Sequence, residues 1–208
     1  MRALPVPLAF AAAFAYTPRP MTTDRRDHLR TLLRQHQPMD DLERTHRDAV
    51  LTLLDVPGDP FSRDHFAPGH VTASAFVLSP DGGSLLLILH GKLHRWLQPG
   101  GHVDATDLDV LAAARREVHE EVGLLDLPLS PLTTGLIDVD VHVIPARKAD
   151  PEHRHFDVRF LFQARDWQFN AGSDAHAGRW VPLAEVGLLE SDASVLRAVA
   201  KLQRLQQA

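Results

Sequence analysis

Three glutamates, Glu117, Glu120 and Glu121, lie within a stretch that has helical spacing from Leu111 to Val122. Residues three and four apart project from neighbouring positions of a helix, so the three carboxylates would be crowded and would repel one another. A hard divalent cation reverses that cost, because carboxylate oxygens are the ligands that Mg²⁺, Mn²⁺ and Ca²⁺ prefer. Mg²⁺ takes few protein ligands and keeps water and substrate phosphates in its shell. The pattern therefore predicts a cation site that acts on a diphosphate.

The residues on either side of the glutamates are suited to positioning them. Gly100-Gly101 would let the backbone turn tightly before the helix, and Asp107 or Asp109 could cap its first turn. Gly123 is a typical residue at the end of a helix, and Arg116 could brace the carboxylates. An acidic helix face in solvent would explain two adjacent glutamates alone, but the whole pattern favours the cation site.

The segment resembles the Nudix hydrolase box, in which a glycine and a glutamate precede Arg-Glu-aliphatic-x-Glu-Glu-x-Gly-aliphatic. The stretch from Arg116 to Leu124 matches every fixed position of the second half. The first half departs twice, because Asp107 replaces the usual glutamate and eight residues rather than seven separate it from Arg116. A loop before the helix can absorb the extra residue. Leu97–His102, which reads Leu-Gln-Pro-Gly-Gly-His, is similar to a branch of the family that has this longer form.

The resemblance extends over about residues 65–207. It implies an α/β (α+β) fold, the Nudix-type α/β/α sandwich with a mixed sheet, and attack of water on phosphorus in a nucleoside diphosphate derivative. Carried over by position, Glu117, Glu120 and Glu121 would bind Mg²⁺ or Mn²⁺, and the catalytic residues would be Glu117, Glu120 and Arg116. Glu117 is the preferred general base, although family members differ in where the base lies. The alternative function is a non-catalytic Nudix-like module that binds or senses a nucleotide.

Two stretches that alternate polar with apolar residues, 138–142 and 153–159, predict strands with a polar face that would form a substrate wall. The expected substrate-binding residues are His102, His155, Arg159, Asp140 and Trp96. Asp157 or Asp140 could complete the metal site. A sheet face in solvent is the competing interpretation. A zinc site is the weaker one, because no His-x-x-x-His lies near the box.

The sequence does not identify the group linked to the nucleoside diphosphate. ADP-ribose members of the family tend to have a proline about sixteen residues after the box, where this chain has Val139-Asp140. Dinucleoside polyphosphate members tend to have a tyrosine there, and the only tyrosine of this chain is Tyr16. The arginine-rich stretch of coenzyme A pyrophosphatases is also missing.

Hydrophobic periodicity predicts four helices and five strands arranged as α+β or as a layered α/β/α sandwich. A helical pair is expected over about 24–56, with Thr23 or Asp24 capping its first helix and Asp40 or Asp41 beginning its second. Further helices are expected over 111–122 and 192–207. Strands are expected over 71–79, 84–90, 135–144, 156–164 and 178–183.

The chain has 208 residues, a formal net charge of −5 and no cysteine. The absence of cysteine excludes disulfides, thiolate zinc sites and cysteine nucleophiles, and with them isopentenyl diphosphate isomerase, which shares the Nudix fold but relies on a catalytic cysteine. The acidic balance argues against a nucleic-acid binder. We expect a small-molecule nucleotide as the partner, with no nucleic acid and no membrane, and a homodimer stays open.

Three segments are expected along the chain: an extension over residues 1–20, a helical segment over 21–64 and a Nudix domain over 65–208. The extension has an apolar run that ends in Ala13-Phe14-Ala15, as a signal peptide does, but Pro5 and Pro7 interrupt it. A start at Met21 is the preferred interpretation. The expected location is therefore the cytoplasm, with export as the alternative if residues 1–15 are a true signal peptide.

Overall fold

The computed structural model of the protein describes residues 25–91, 93–170 and 175–207. The expected extension over 1–20 and the expected helix cap at Thr23 or Asp24 therefore lie outside the described residues. The helices are α1 (Arg25–Gln35), α2 (Asp41–Leu53), α3 (Val110–Val122) and α4 (Ala193–Gln207), with a 3₁₀ turn at Val186–Leu188. The strands are β1 (Gly69–Leu78), β2 (Ser84–His90), β3 (Arg95–Leu97), β4 (Gly100–His102), β5 (Leu136–Ile144), β6 (His153–Gln163) and β7 (Ala175–Pro182).

Strand β1 is the centre of the sheet. It pairs in parallel with β6 along its whole length, from Gly69 opposite Arg154 to Leu78 opposite Gln163. Its other edge pairs in antiparallel fashion with β4 near its start and with β2 at its end. Strands β3 and β7 pair with β2, and β5 pairs with β6, each in antiparallel fashion. The sheet is therefore mixed, as expected.

The two faces of the sheet are covered by different helices, which makes an α/β/α sandwich. One core packs α1, α2 and α3 against β1 and β6, and Val71, Ala73 and Val118 belong to it. The other core packs α4 against the opposite face through Val195 and Val199. The helical pair α1–α2 therefore shares a core with the sheet.

The expected helices and long strands are confirmed to within a few residues at their ends. Two short strands, β3 and β4, were not expected. Asp40 caps α2, since its side chain accepts a hydrogen bond from the backbone N–H of Glu43. Among the described residues, no helix combines the length and the apolar character needed to cross a membrane.

A buried ion pair ties the helical pair to α4. The carboxylate of Glu43 accepts hydrogen bonds from His36 at 2.6 Å and from the Lys201 ammonium at 2.8 Å, and its side chain is fully buried. His36 also contacts the carbonyl of Leu136 on β5, at 3.1 Å. Burial alone would raise the pKa of Glu43, but the bonds from His36, Lys201 and the Met39 N–H lower it to about 2.

Replacing Glu43 with glutamine should lower the free energy of unfolding by about 3 kcal/mol near neutral pH, because Lys201 would lose its counter-charge in a buried site. The pKa of Glu43 lies at about 2 in the fold, below its ordinary value of 4.5. The ionised Glu43 therefore stabilises the fold fully when the pH is above its ordinary pKa. This stabilisation is lost as the pH falls toward the pKa that Glu43 has in the folded protein. The difference between wild type and Glu43→Gln should shrink in acid.

Denaturant unfolding followed from neutral pH into acid measures this difference. Glu185→Gln, at an exposed position, is the matched control and should leave stability unchanged. A difference that stays constant as the pH falls would contradict the role assigned to the Glu43 charge.

Candidate functional site

Helix α3 presents its glutamates away from the core. Its buried side carries Ala114, Val118 and Val122, which pack against the sheet. Asp109 caps its first turn by accepting a hydrogen bond from the Ala112 N–H at 2.8 Å. Gly123 ends it in the left-handed conformation, with φ of 69°, as expected. The glutamates therefore extend from a helix that is fixed at both ends.

Arg116 joins the carboxylates to the loop before the helix. One of its terminal nitrogens, Nη1, donates to Glu117 at 2.9 Å and to Glu120 at 3.0 Å. The other, Nη2, donates to the carbonyl of His102 at 2.8 Å and to Asp107 at 3.0 Å. Of the two candidate caps, Asp107 thus binds Arg116 instead. These contacts, led by the bond to Asp107, hold the pKa of Arg116 above its usual range.

The two glycines before the helix do not form the tight turn that the sequence suggested. They lie in β4, which pairs with β1 so that Gly101 is opposite Ala73 and Gly100 is opposite Ser74. A Cβ atom on Gly101 would lie 2.7 Å from the carboxylate of Glu117. The Gly100 N–H donates to Glu121 at 2.9 Å. The glycines therefore let the glutamates approach the strand backbone.

The donor set on α3 suits a hard divalent cation. Burial raises the pKa of Glu117, and the nearby charges of Glu120 and Asp104 raise it further against the effect of Arg116. A bound cation would offset the repulsion between these carboxylates. Clustered carboxylate oxygens are also the ligands that Mg²⁺ and Mn²⁺ prefer. The Glu120 side chain is 53% exposed, so the cluster is open to a substrate.

Arg159 and Asp140 lie in a buried network of ion pairs. Arg159 is 2% exposed and donates to Asp157 at 2.7 Å and to Asp138 at 3.1 Å. Arg197 on α4 donates to Asp138 at 2.9 Å and to Asp140 at 3.1 Å. Burial alone would lower the pKa of Arg159. The charges of Asp157, Asp138 and Asp140 nevertheless hold this pKa above its usual range. This network links β5 and β6 to α4.

Asp157 is also engaged within the protein. Its carboxylate accepts hydrogen bonds from the hydroxyls of Thr72, at 3.1 Å, and Ser74, at 2.7 Å, in addition to the bond from Arg159. These three contacts fix the Asp157 carboxylate between β1 and β6.

Asp140 is held in a similar way. Its carboxylate contacts His142 at 3.0 Å, in addition to the bond from Arg197. Burial alone would raise the pKa of Asp140, but His142, Arg159 and Arg197 hold it well below its usual range. Asp140 is therefore a buried carboxylate that is ionised and compensated within the protein.

Five histidines gather around the start of β1 and β6; we call them the histidine cluster: His70, His102, His142, His153 and His155. The ring of His155 lies 4.8 Å from that of His70 and 5.3 Å from that of His153, between ring centroids. Burial and the neighbouring rings lower the pKa of His70 to about 4 and that of His155 to about 2. These two rings are therefore neutral at physiological pH.

Trp96 lies on the short strand β3 and is partly buried against the core between the sheet and α4. The guanidinium of Arg179 lies over its ring, 4.3 Å from the centroid. One face of this ring is thus covered by a cation.

Sequence spacing does not place His70, Thr72 or Ser74 beside the polar residues of β6. The parallel pairing of β1 with β6 brings them opposite His155, Asp157 and Arg159, in that order. Alternation of polar residues along β1 was the only available signal, and it does not show which distant strand is the neighbour.

Comparison with known proteins adds a family match. The model of the NUDIX domain matches residues 68–202, which is more than half of the chain. None of the curated proteins compared with the chain matches it.

Solved structures share the fold at low sequence identity. An Ap4A hydrolase from C. elegans, in a binary complex, is 17% identical with a TM-score of 0.50, over 66% of this chain and 97% of the other. The dihydroneopterin triphosphate pyrophosphohydrolase of E. coli is 19% identical with a TM-score of 0.51, over 66% and 96%. The NUDIX domain of Shewanella oneidensis NrtR, complexed with ADP ribose, is 17% identical with a TM-score of 0.50, over 66% and 88%.

Replacing Gly101 with alanine should weaken Mn²⁺ binding by about tenfold, because the new methyl group would displace the carboxylate of Glu117. The effect on stability should be small, since the clash falls on the end of a flexible side chain. Electron paramagnetic resonance of free Mn²⁺ during a titration measures the affinity. Gly187→Ala is the matched control, because a Cβ atom there meets nothing within 4 Å. Equal affinity in the two variants would contradict the role of Gly101.

Proposed function

Because the chain belongs to the Nudix family, we propose that it is a divalent-metal-dependent hydrolase that cleaves the diphosphate linkage of a nucleoside diphosphate derivative. The observation that carries this proposal is the cluster of Glu117, Glu120 and Glu121 around Arg116 and the glycines of β4. A module that only binds nucleotide has no need of three crowded carboxylates, whose repulsion costs stability.

The proposed roles follow from the contacts of each residue. Mg²⁺ or Mn²⁺, when bound, would neutralise phosphate charge and help to orient the attacking water. Glu117, Glu120 and Glu121 would hold the cation. Glu117 is the preferred general base, because its side chain is only 14% exposed and it would receive the proton in a partly dehydrated site. Arg116 would keep Glu117 and Glu120 in place.

For the substrate, we propose contacts with His102 and Trp96. The His102 carbonyl accepts a hydrogen bond from Arg116, whereas its ring lies 5.1 Å from that of His70, so His102 would meet the substrate through its backbone beside the glutamates rather than through its ring. Arg159 and Asp140 are enclosed in their ion-pair network, so we propose that they support the sheet from within. His155 has its ring among four other histidines, and we propose for it a role other than direct phosphate contact.

The alternative, a non-catalytic nucleotide-binding module, stays open to test. One structural neighbour is named as an Ap4A hydrolase and another is complexed with ADP ribose, so Ap4A and ADP ribose are reasonable first compounds for a substrate panel. Cytoplasmic location also stays a proposal, and the intact mass of the native protein would distinguish a start at Met1 or Met21 from cleavage after Ala15.

Replacing Glu120 with glutamine should reduce turnover at least about 100-fold, because it removes a charged oxygen ligand while keeping the shape of the side chain. The assay is a panel of nucleoside diphosphate derivatives with Mg²⁺ or Mn²⁺, with phosphatase coupling to release phosphate. Circular dichroism should show an unchanged fold.

Glu185→Gln is the control for this substitution, since Glu185 is exposed and lies outside the cluster. Unchanged turnover in Glu120→Gln and in Glu121→Gln would rule out the proposed metal site. Tight binding of one nucleotide by wild type, without turnover of any compound, would favour the binding module.

A further inference from the structure

Three members of the histidine cluster bring their ring nitrogens together. One nitrogen from each of His70, His153 and His155 lies within 4.8 Å of the other two. His70 and His155 are directly opposite each other in the parallel pairing of β1 with β6. His153 precedes His155 by two residues and so lies on the same face of β6. The backbone of two paired strands therefore fixes this arrangement.

Two of these rings are oriented by backbone carbonyls. Nδ1 of His153 lies 2.8 Å from the carbonyl of Pro151, and Nδ1 of His70 lies 3.4 Å from that of His65. A carbonyl accepts only from a protonated nitrogen, so these contacts place the proton on Nδ1 and leave the lone pair on Nε2. Metal-binding histidines are commonly held by such a contact at their other nitrogen.

The surroundings of the His70 Nε2 atom are the strongest indication of a ligand among these histidines. His70 is 1% exposed, and within the described part of the chain this nitrogen is buried without a hydrogen-bond partner. Buried polar atoms are nearly always paired, and an orphaned one calls for an explanation such as an ion. Its ring lies 5.1 Å from that of His153 and 4.8 Å from that of His155, between centroids.

We propose that His70, His153 and His155 form a second metal site, which binds one divalent transition-metal ion of the zinc class. Neutral imidazole nitrogen suits Zn²⁺ and Co²⁺, whereas Mg²⁺ prefers oxygen. Zinc–nitrogen bonds of about 2.0–2.1 Å would require the three nitrogens to move closer together by small side-chain rotations. Three histidines leave a fourth position for water or another ligand, as in catalytic zinc sites.

The site is separate from the glutamates of α3. Strand β4 lies between them, with Gly101 against Glu117 and the ring of His102 at 5.1 Å from that of His70. The proposal does not depend on the hydrolysis proposed for the glutamates.

The test is a Co²⁺ titration of the metal-free full chain in excess Mg²⁺, followed by visible absorption. Mg²⁺ occupies carboxylate sites and competes poorly for imidazole. Wild type should bind one equivalent with the intense d–d bands of a four-coordinate site, and Zn²⁺ should displace the Co²⁺. His70→Gln and His155→Gln should each bind Co²⁺ at least about 100-fold more weakly.

His94→Gln is the matched control, because His94 is exposed and lies outside the histidine cluster. It should bind Co²⁺ as wild type does. Since His70 is buried, His155→Gln keeps the test decisive if His70→Gln does not fold. The proposal is overturned if wild type binds no Co²⁺ in excess Mg²⁺, or if His155→Gln binds it as tightly as His94→Gln.

Discussion

The pairing of β1 with three other strands is the constraint on which the rest of the structure depends. Its parallel pairing with β6 fixes which residues of the two strands lie side by side, from Gly69 opposite Arg154 onward. Its antiparallel pairing with β4 brings the two glycines against α3. Because side chains alternate along a strand, Val71 and Ala73 enter the core with α3 while His70 and Thr72 project to the other face.

The candidate site and the ion-pair network on the sheet differ in how their carboxylate charges are compensated. The glutamates of α3 are crowded, and burial together with the charges of Glu120 and Asp104 raises the pKa of Glu117 despite its contact with Arg116. The aspartates of β5 and β6 differ in having arginine partners within the sheet and α4, because Arg159 and Arg197 bind them closely. The glutamates of α3 are therefore suited to bind a cation, whereas the aspartates of β5 and β6 hold the sheet and α4 together.

Local patterns made the helix and its glutamates predictable. Helical spacing, the cap at Asp109 and Gly123 all act within a few residues of one another. The short strand β4 was not predictable, because its pairing partner lies far away in the chain. The burial of Arg159 and the approach of His70 to His155 likewise depend on long-range pairing. Polar alternation predicted the strands but did not distinguish a substrate wall from a buried ion-pair network.

Anomalous diffraction from crystals grown with Mn²⁺ tests the central claim most directly. That claim is that the glutamates of α3 hold the cation that the reaction requires. Data collected at the manganese edge should show a peak bound by oxygens of Glu117, Glu120 and Glu121. Crystals that bind Mn²⁺ elsewhere and show no peak at these carboxylates would contradict the account.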